Sequence, residues 1–251
     1  MKTLIFILKK IKIKNQINNN NMNVYEKCSE EIILYDYKNS GNLFNNKVIE
    51  NNLSNYNFSN AFFDNVEFSL SVLDNSNLDF IQTQELSFIN SNLNKIIFTN
   101  SKQYKSYFLN CFLLSADFSG SRLLDIKFKN CSIHGAYFRN TYIMKALFEE
   151  CEMYKVRFNK AIVIKSDFSP GGKLDIAGLN NSYLNNSLFL ECNFNKMNLY
   201  SADLSNSAFI NCDFFSSNMD CCNLNNSRFI NCNMKYISMV DIIKENCIII
   251  N

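Results

Sequence analysis

The sequence predicts an all-β chain wound into a four-sided solenoid, and three observations carry that prediction. A large apolar residue recurs at every fifth position from Leu53 to Met239, with few exceptions. Like residues also recur at a spacing of 20, so four five-residue units complete one turn. The 251 residues include only 6 Gly and 1 Pro, too few to punctuate a mixed fold of this length. Neither a helix, with period 3.6, nor a flat strand, with period 2, produces a period of five. A fixed internal period of this kind marks stacked repeats.

Along the chain, residues 1–22 read as a disordered basic tail with five Lys and no acid. Lys9, Lys10, Lys12 and Lys14 break up its apolar run, which argues against a signal peptide. Residues 23–47 are expected to cap the rod. Residues 48–239 carry the repeat, and residues 240–251 are expected to form a C-terminal cap. Within the repeat, the residue two before each large one is mostly small, as at Ala61, Ser71, Cys111, Ala116 and Ala136. One large and one small inward residue per five, with polar residues between, describes a wall that bends at each unit. The rod should be on the order of 45 Å long, for roughly nine turns about 4.8 Å apart.

Two core columns follow from the 20-residue spacing. Phe68, Phe88, Phe108, Phe128, Phe148 and Phe168 form one, continued by Phe189, Phe209 and Phe229 if the register slips by one residue across residues 169–173. Cys111, Cys131 and Cys151 form the other, continued by Cys192, Cys212 and Cys232. Asn90, Asn110, Asn130, Asn211 and Asn231 repeat in the same way. Two polar residues, Thr83 and Gln103, occupy large positions; being 20 apart they should stack, and a mutual hydrogen bond would limit the cost of burial. Glu85, Lys105, Asp125 and Lys145 should form an outward ladder of alternating sign.

Segments such as Ser201-Ala202-Asp203-Leu204-Ser205 and Ser115-Ala116-Asp117-Phe118-Ser119 resemble the pentapeptide-repeat motif A(D/N)LXX, and the resemblance covers about Val48 to Met239. It implies a right-handed quadrilateral β-helix with a solid interior. Three stretches are similar to the quinolone-resistance (Qnr-type) members: Lys47–Asn51 leading into Asn57–Ala61, Glu150–Tyr154 running on to Ser166–Ser169, and the tail Val240–Ile250. That likeness implies a short C-terminal helix and strand, a homodimer joined end to end through Met239, Ile242 and Ile243, and a DNA-mimicking rod that binds DNA gyrase or topoisomerase IV. A mimic of DNA should be acidic, and the charge here is blocked: ten acids and three bases in residues 26–85, six and thirteen in 86–173, seven and four in 174–251. The alternative is a general protein-interaction scaffold or a secreted bacterial effector.

Catalytic chemistry is not expected. His134, the single His, falls in an outward slot. The cysteines fill small-residue positions and lack the CxxC or Cys/His spacing of zinc sites. Gly171-Gly172 lacks the Lys-Ser/Thr sequel of a phosphate loop. The chain is therefore read as a cytoplasmic protein-binding rod without cofactor, metal, direct nucleic-acid contact or membrane span, its cysteines reduced.

Overall fold

The computed structural model describes residues 26–28 (backbone only), 40–168 and 178–250. The chain winds as a solenoid of four walls, with strands of three or four residues. One wall is an eleven-stranded parallel sheet from Asn42–Phe44 to Ile248–Ile250. Its neighbour is a seven-stranded parallel sheet from Glu26–Cys28 to Leu147–Glu149. The other two walls are ladders of single parallel bridges, such as Asn52 with Val72 and Asn57 with Asn77. Successive strands of the long sheet pair at 20 residues, Leu43 on Phe63 and Leu123 on Ile143. Its ten steps, about 4.8 Å each, give a rod roughly 48 Å long.

The corners explain the composition. Every fifth residue adopts a left-handed backbone, with φ between 49 and 63° at 37 non-glycine positions. Asn reaches this region more readily than other side chains, and seventeen of the 37 are Asn. None of the 37 is Val, Ile or Thr, whose branched Cβ would crowd most there. Before the last turn, the N–H of the corner residue donates to a carbonyl of the next turn, as Asn45 to Asp64 and Glu50 to Ser69. Two corners are Gly. At Gly120, with φ 72°, an added Cβ would lie 2.6 Å from Asn100 Oδ1. Corner side chains also pair along the rod: Asn110 Nδ2 donates to Asn90 Oδ1 and Asn130 Nδ2 to Asn110 Oδ1, each at 2.8 Å. Glu85, Lys105, Asp125 and Lys145 share one corner column, and Lys105 Nζ lies 3.5 Å from Glu85 Oε1.

In every described turn but the last, each wall buries its central residue. On the second wall Phe68, Phe88, Phe108, Phe128, Phe148 and Phe168 stack nearly parallel, with centroids 4.7–5.2 Å apart. The fourth wall contributes Phe98, Phe118, Phe138 and Phe158, edge-on to the second; Phe128 and Phe138 meet at 90°. Stacked and edge-on rings each add about 0.5–1.5 kcal/mol beyond area burial.

Beyond residue 168 the columns depart from the expected register. Phe168 stacks on Phe194 at 4.9 Å, and Phe189 pairs with Val163 of the first wall. The step there is 26 residues. Phe189, Phe209 and Phe229 are buried but belong to a different wall from Phe68–Phe168. The cysteines likewise form two stacks: Cys111, Cys131 and Cys151 on one corner, Cys192, Cys212 and Cys232 on another. Asn211 and Asn231 leave the Asn90–Asn130 column for the same reason. A one-residue slip and a six-residue insertion shift the five-residue phase equally, so the phase alone does not separate them. Gly171 and Gly172 lie outside the described residues.

Both ends extend further than expected. The winding includes Asn42–Phe44, within the stretch assigned to the cap. Residues 240–250 form a further coil, with Ile249 over Phe229. Ser238 Oγ and Val240 N–H donate to Asp220 Oδ1 at 2.6 and 2.7 Å, which ties this coil down and holds the Asp220 carboxyl below its usual range. The expected terminal helix is absent from the described residues, because the five-residue corners continue to Asn246.

Thr83 and Gln103 do stack, without bonding to each other. Thr83 Oγ1 meets Ser106 Oγ at 3.1 Å, and Gln103 Nε2 donates to Ser101 Oγ at 3.1 Å. Gln103 Oε1 is buried with no partner. Ser101 keeps a second partner in Ser121 at 3.0 Å, so Gln103→Leu should raise stability by about 1–2 kcal/mol, the cost of desolvating the orphaned oxygen. A denaturant melt showing a loss would mean that the oxygen is satisfied. Phe128→Ala should cost about 3–5 kcal/mol, whereas Lys129→Ala, which removes a half-exposed ion pair to Glu149, should cost at most about 1 kcal/mol. Equal losses would mean that inward and outward positions are wrongly assigned.

Candidate interaction surfaces

A solid core leaves chemistry to the residues flanking each central one, which point outward, and to the corners. The four walls differ. On the second wall Lys47 Nζ and Lys129 Nζ each lie 2.8 Å from a carboxylate of the next turn, Glu67 and Glu149. That partner raises the Lys129 pKa. The third wall holds His134, whose Nε2 lies 3.0 Å from Glu152 Oε2. The fourth wall carries a cation–aromatic cluster in which the Arg157 guanidinium lies 4.8 Å from the Tyr137 ring and 5.5 Å from the Tyr183 ring. Arg139 also covers Tyr137 at 4.8 Å.

Carboxylates are scattered over all four walls. Asp79, Asp117 and Asp203 lie on the fourth, Asp74 and Asp220 on the third, Asp213 on the second and Asp64 on the first. Arg139 and Arg157 interrupt the fourth-wall series, and Lys127 and Lys129 break up the second wall. No unbroken acidic stripe runs along the described part of the rod.

The first wall is different in kind. Its N-terminal half is mixed, with Gln82, Gln84, Lys102 and Arg122 outward beside exposed Phe44, Phe62 and Tyr104. From the fifth strand onward its outward positions turn apolar. One column holds Leu124, Met144, Ile164, Leu190, Ile210 and Ile230, and the other Tyr142, Ile162, Leu188 and Ala208. All are part-exposed or exposed. Arg228 is the one cation within this strip. The sequence carried the signal at positions one before and one after each large residue, read at 20-residue spacing; it was missed because outward positions were taken as polar.

Among the depressions on the described part of the rod surface are two of several hundred Å³. One, of about 540 Å³, is lined by residues including Lys105, Tyr107, Lys127 and Glu149. The other, of about 340 Å³, is lined by residues including Gln82, Lys102, Tyr104 and Arg122. Neither gathers a nucleophile and a base. At the C-terminal end the residues expected to pair two rods separate: Met239 and Ile242 face inward, partly buried against the core, while Ile243 points outward and is exposed. The helical spacing that would have grouped them is not realised.

The cysteine stacks are built for packing. Each Sγ donates to a carbonyl of the preceding turn, 3.3–3.5 Å away. The hydrogen bond with Cys192 and burial push the Cys212 thiol up to about 12, and burial pushes Cys222 to about 12. Among the described residues all nine cysteines are free, and no group of three or more His, Cys, Asp or Glu converges as a metal site. Also among them, no helix is long and apolar enough to cross a membrane. Thiol titration of the unfolded chain should find ten free thiols, and elemental analysis no stoichiometric zinc; one equivalent of zinc would overturn the packing role.

The family model for pentapeptide repeats matches residues 177–215 and 209–241. The sequence matches none of the curated proteins compared with it. Among solved structures, HetL, a pentapeptide repeat protein involved in heterocyst differentiation regulation from the cyanobacterium Nostoc sp. strain PCC 7120, is 15% identical with a TM-score of 0.48, over 89% of this chain and 95% of that one. Full-length QnrB1, a plasmid-mediated fluoroquinolone resistance protein, is 18% identical with a TM-score of 0.40, over 80% and 94%. Rfr23, a pentapeptide repeat protein from the cyanobacterium Cyanothece 51142, is 10% identical with a TM-score of 0.19, over 88% and 99%. At these values the likenesses carry no argument about function. Residues 177–241 match the pentapeptide-repeat family by sequence, and the coils before them are built on the same five-residue unit and pair with them turn on turn.

Proposed function

We propose that this chain is a non-catalytic rod that binds a protein partner along its walls. The observation that carries the reading is the patchwork on flat walls: paired charges on the second, His134 beside Glu152 on the third, a cation–aromatic cluster on the fourth. Such a surface suits a large partner read at several points, since contact energy concentrates in a few aromatic and Arg anchors. Tyr137, Arg157 and Tyr183 form such a cluster. The free, buried thiols suit a reducing compartment such as the cytoplasm.

The scattered carboxylates favour a general scaffold over a mimic of DNA that engages gyrase or topoisomerase IV. Two measurements test this. A photo-crosslinking residue placed singly at Tyr183, Tyr154 or Phe215 in the source cell should give one discrete heterologous protein adduct, concentrated on one wall. The absence of an adduct from all three would overturn the reading. In a supercoiling assay with purified gyrase, with and without a quinolone, micromolar protein should change nothing. Protection or inhibition would instead establish the topoisomerase reading.

A further inference from the structure

The apolar strip on the first wall has no counterpart on the other three. It runs from Leu124 to the last coil, where Ile248 and Ile250 are 44% and 52% exposed. At mid-strip Ile162 is 42% exposed. Isolated exposed apolar residues are ordinary, but the largest contiguous patch on a monomer is about 300–600 Å² and is often functional. This strip exposes on the order of 700 Å², close to the roughly 800 Å² per partner that a standard interface buries.

We propose that the strip is a side-by-side dimerisation surface, and that its occupant is the same strip of a second copy. Three features favour a second copy. The strip is the outer face of a parallel sheet, and two sheet faces pack about 10 Å apart. Its ridges repeat at the strand spacing, so an identical strip presents a matching period. The rim of the C-terminal part carries few charges: Asn186, Asn206 and Asn226 line one corner, and Glu191, Asn211 and Asn231 the other.

The rim charges that remain lie along the N-terminal half of the strip and at its centre. The strip spans seven strands, with Leu188–Leu190 at its centre. Two rods related by a twofold through that centre and lying antiparallel set Lys145 and Lys165 of one copy across from Asn231 and Asn211 of the other. They also set Arg228 across from Tyr142, a ring that already lies 5.5 Å from the Arg122 guanidinium. A parallel arrangement would instead bring Lys160 opposite Lys165, whereas the antiparallel one sets Glu191 of the two copies opposite each other on the twofold, so charge does not choose between the two directions.

This inference does not depend on the heterologous partner, whose proposed crosslinks are read on other walls. The test uses the full chain. Sedimentation at tens of micromolar should give a dimer, and small-angle X-ray scattering should give it a maximum dimension near that of one rod. Leu190→Glu with Ile210→Glu, both outward, should yield a folded monomer whose melting temperature no longer depends on protein concentration. Phe112→Glu, an exposed apolar residue on the third wall, should leave the dimer intact. A monomeric wild-type chain, a dimer of twice the rod length, or a dimer indifferent to the double substitution would overturn the proposal. So would wild-type chain that floats as a monomer with phosphatidylcholine–phosphatidylglycerol vesicles. Should the double variant fail to fold, the scattering of the wild-type chain still decides.

Discussion

The left-handed residue at every fifth position is the constraint on which the rest depends. It turns the chain through a corner while its N–H reaches the next turn, so bending and stacking are accomplished by one residue. Leaving the usual backbone regions costs an ordinary side chain roughly 1–2 kcal/mol. With 37 such non-glycine positions, the cost is spread along the whole rod and must be met by burial inside it. The sequence lowers it where it can, with Asn at the corners. It also avoids branched residues there. Glycine would relieve the strain but would enlarge the entropy lost on folding. That balance accounts for a chain rich in Asn and poor in Gly.

Stacking at one spacing then makes every choice collective. A Phe at one inward position favours a Phe above it, because parallel rings about 5 Å apart fill the space between turns. The same rule produces the thiol stacks and the Asn ladders. It also propagates error. Gln103 occupies a slot shaped for an apolar residue, and one of its two polar atoms finds no partner. Its amide hydrogen is satisfied only because the small position two before it is Ser101, and Ser121 stands above. Polar intrusion is thus tolerated where the adjoining corner also carries hydroxyls.

The repeat made the wall assignment legible from sequence, because inward and outward positions follow from a count of five. Phe128, Cys131 and Leu204 could be placed without coordinates. What the count cannot resolve is anything equal modulo five. An added pentad plus one residue between Phe168 and Leu179 looks like a slip of one, yet it carries Phe189 and Cys192 to other walls. The tail misled for a related reason. Met239, Ile242 and Ile243 fit helical spacing, but they also fit the solenoid, and the corners at Asp241 and Asn246 decide for the solenoid. Charge counts by block were similarly blind to direction, since residues adjacent in sequence project from different walls.

Function in such a rod must be carried by the outward columns, because the interior is spent on stability. Each wall contributes two columns whose residues lie about 4.8 Å apart along the axis, so a change in composition along a column is a change in position along the rod. The first wall passes from a mixture of Gln, Lys and aromatic residues to Leu and Ile near its fifth strand. The fourth carries its Tyr–Arg cluster near the same level as the start of that strip. The rod is therefore directional despite its uniform core: turns that are interchangeable inside are distinct outside. A partner, whether a second copy or another protein, reads the wall and the level together, and two binding faces can change independently because no side chain contributes to both.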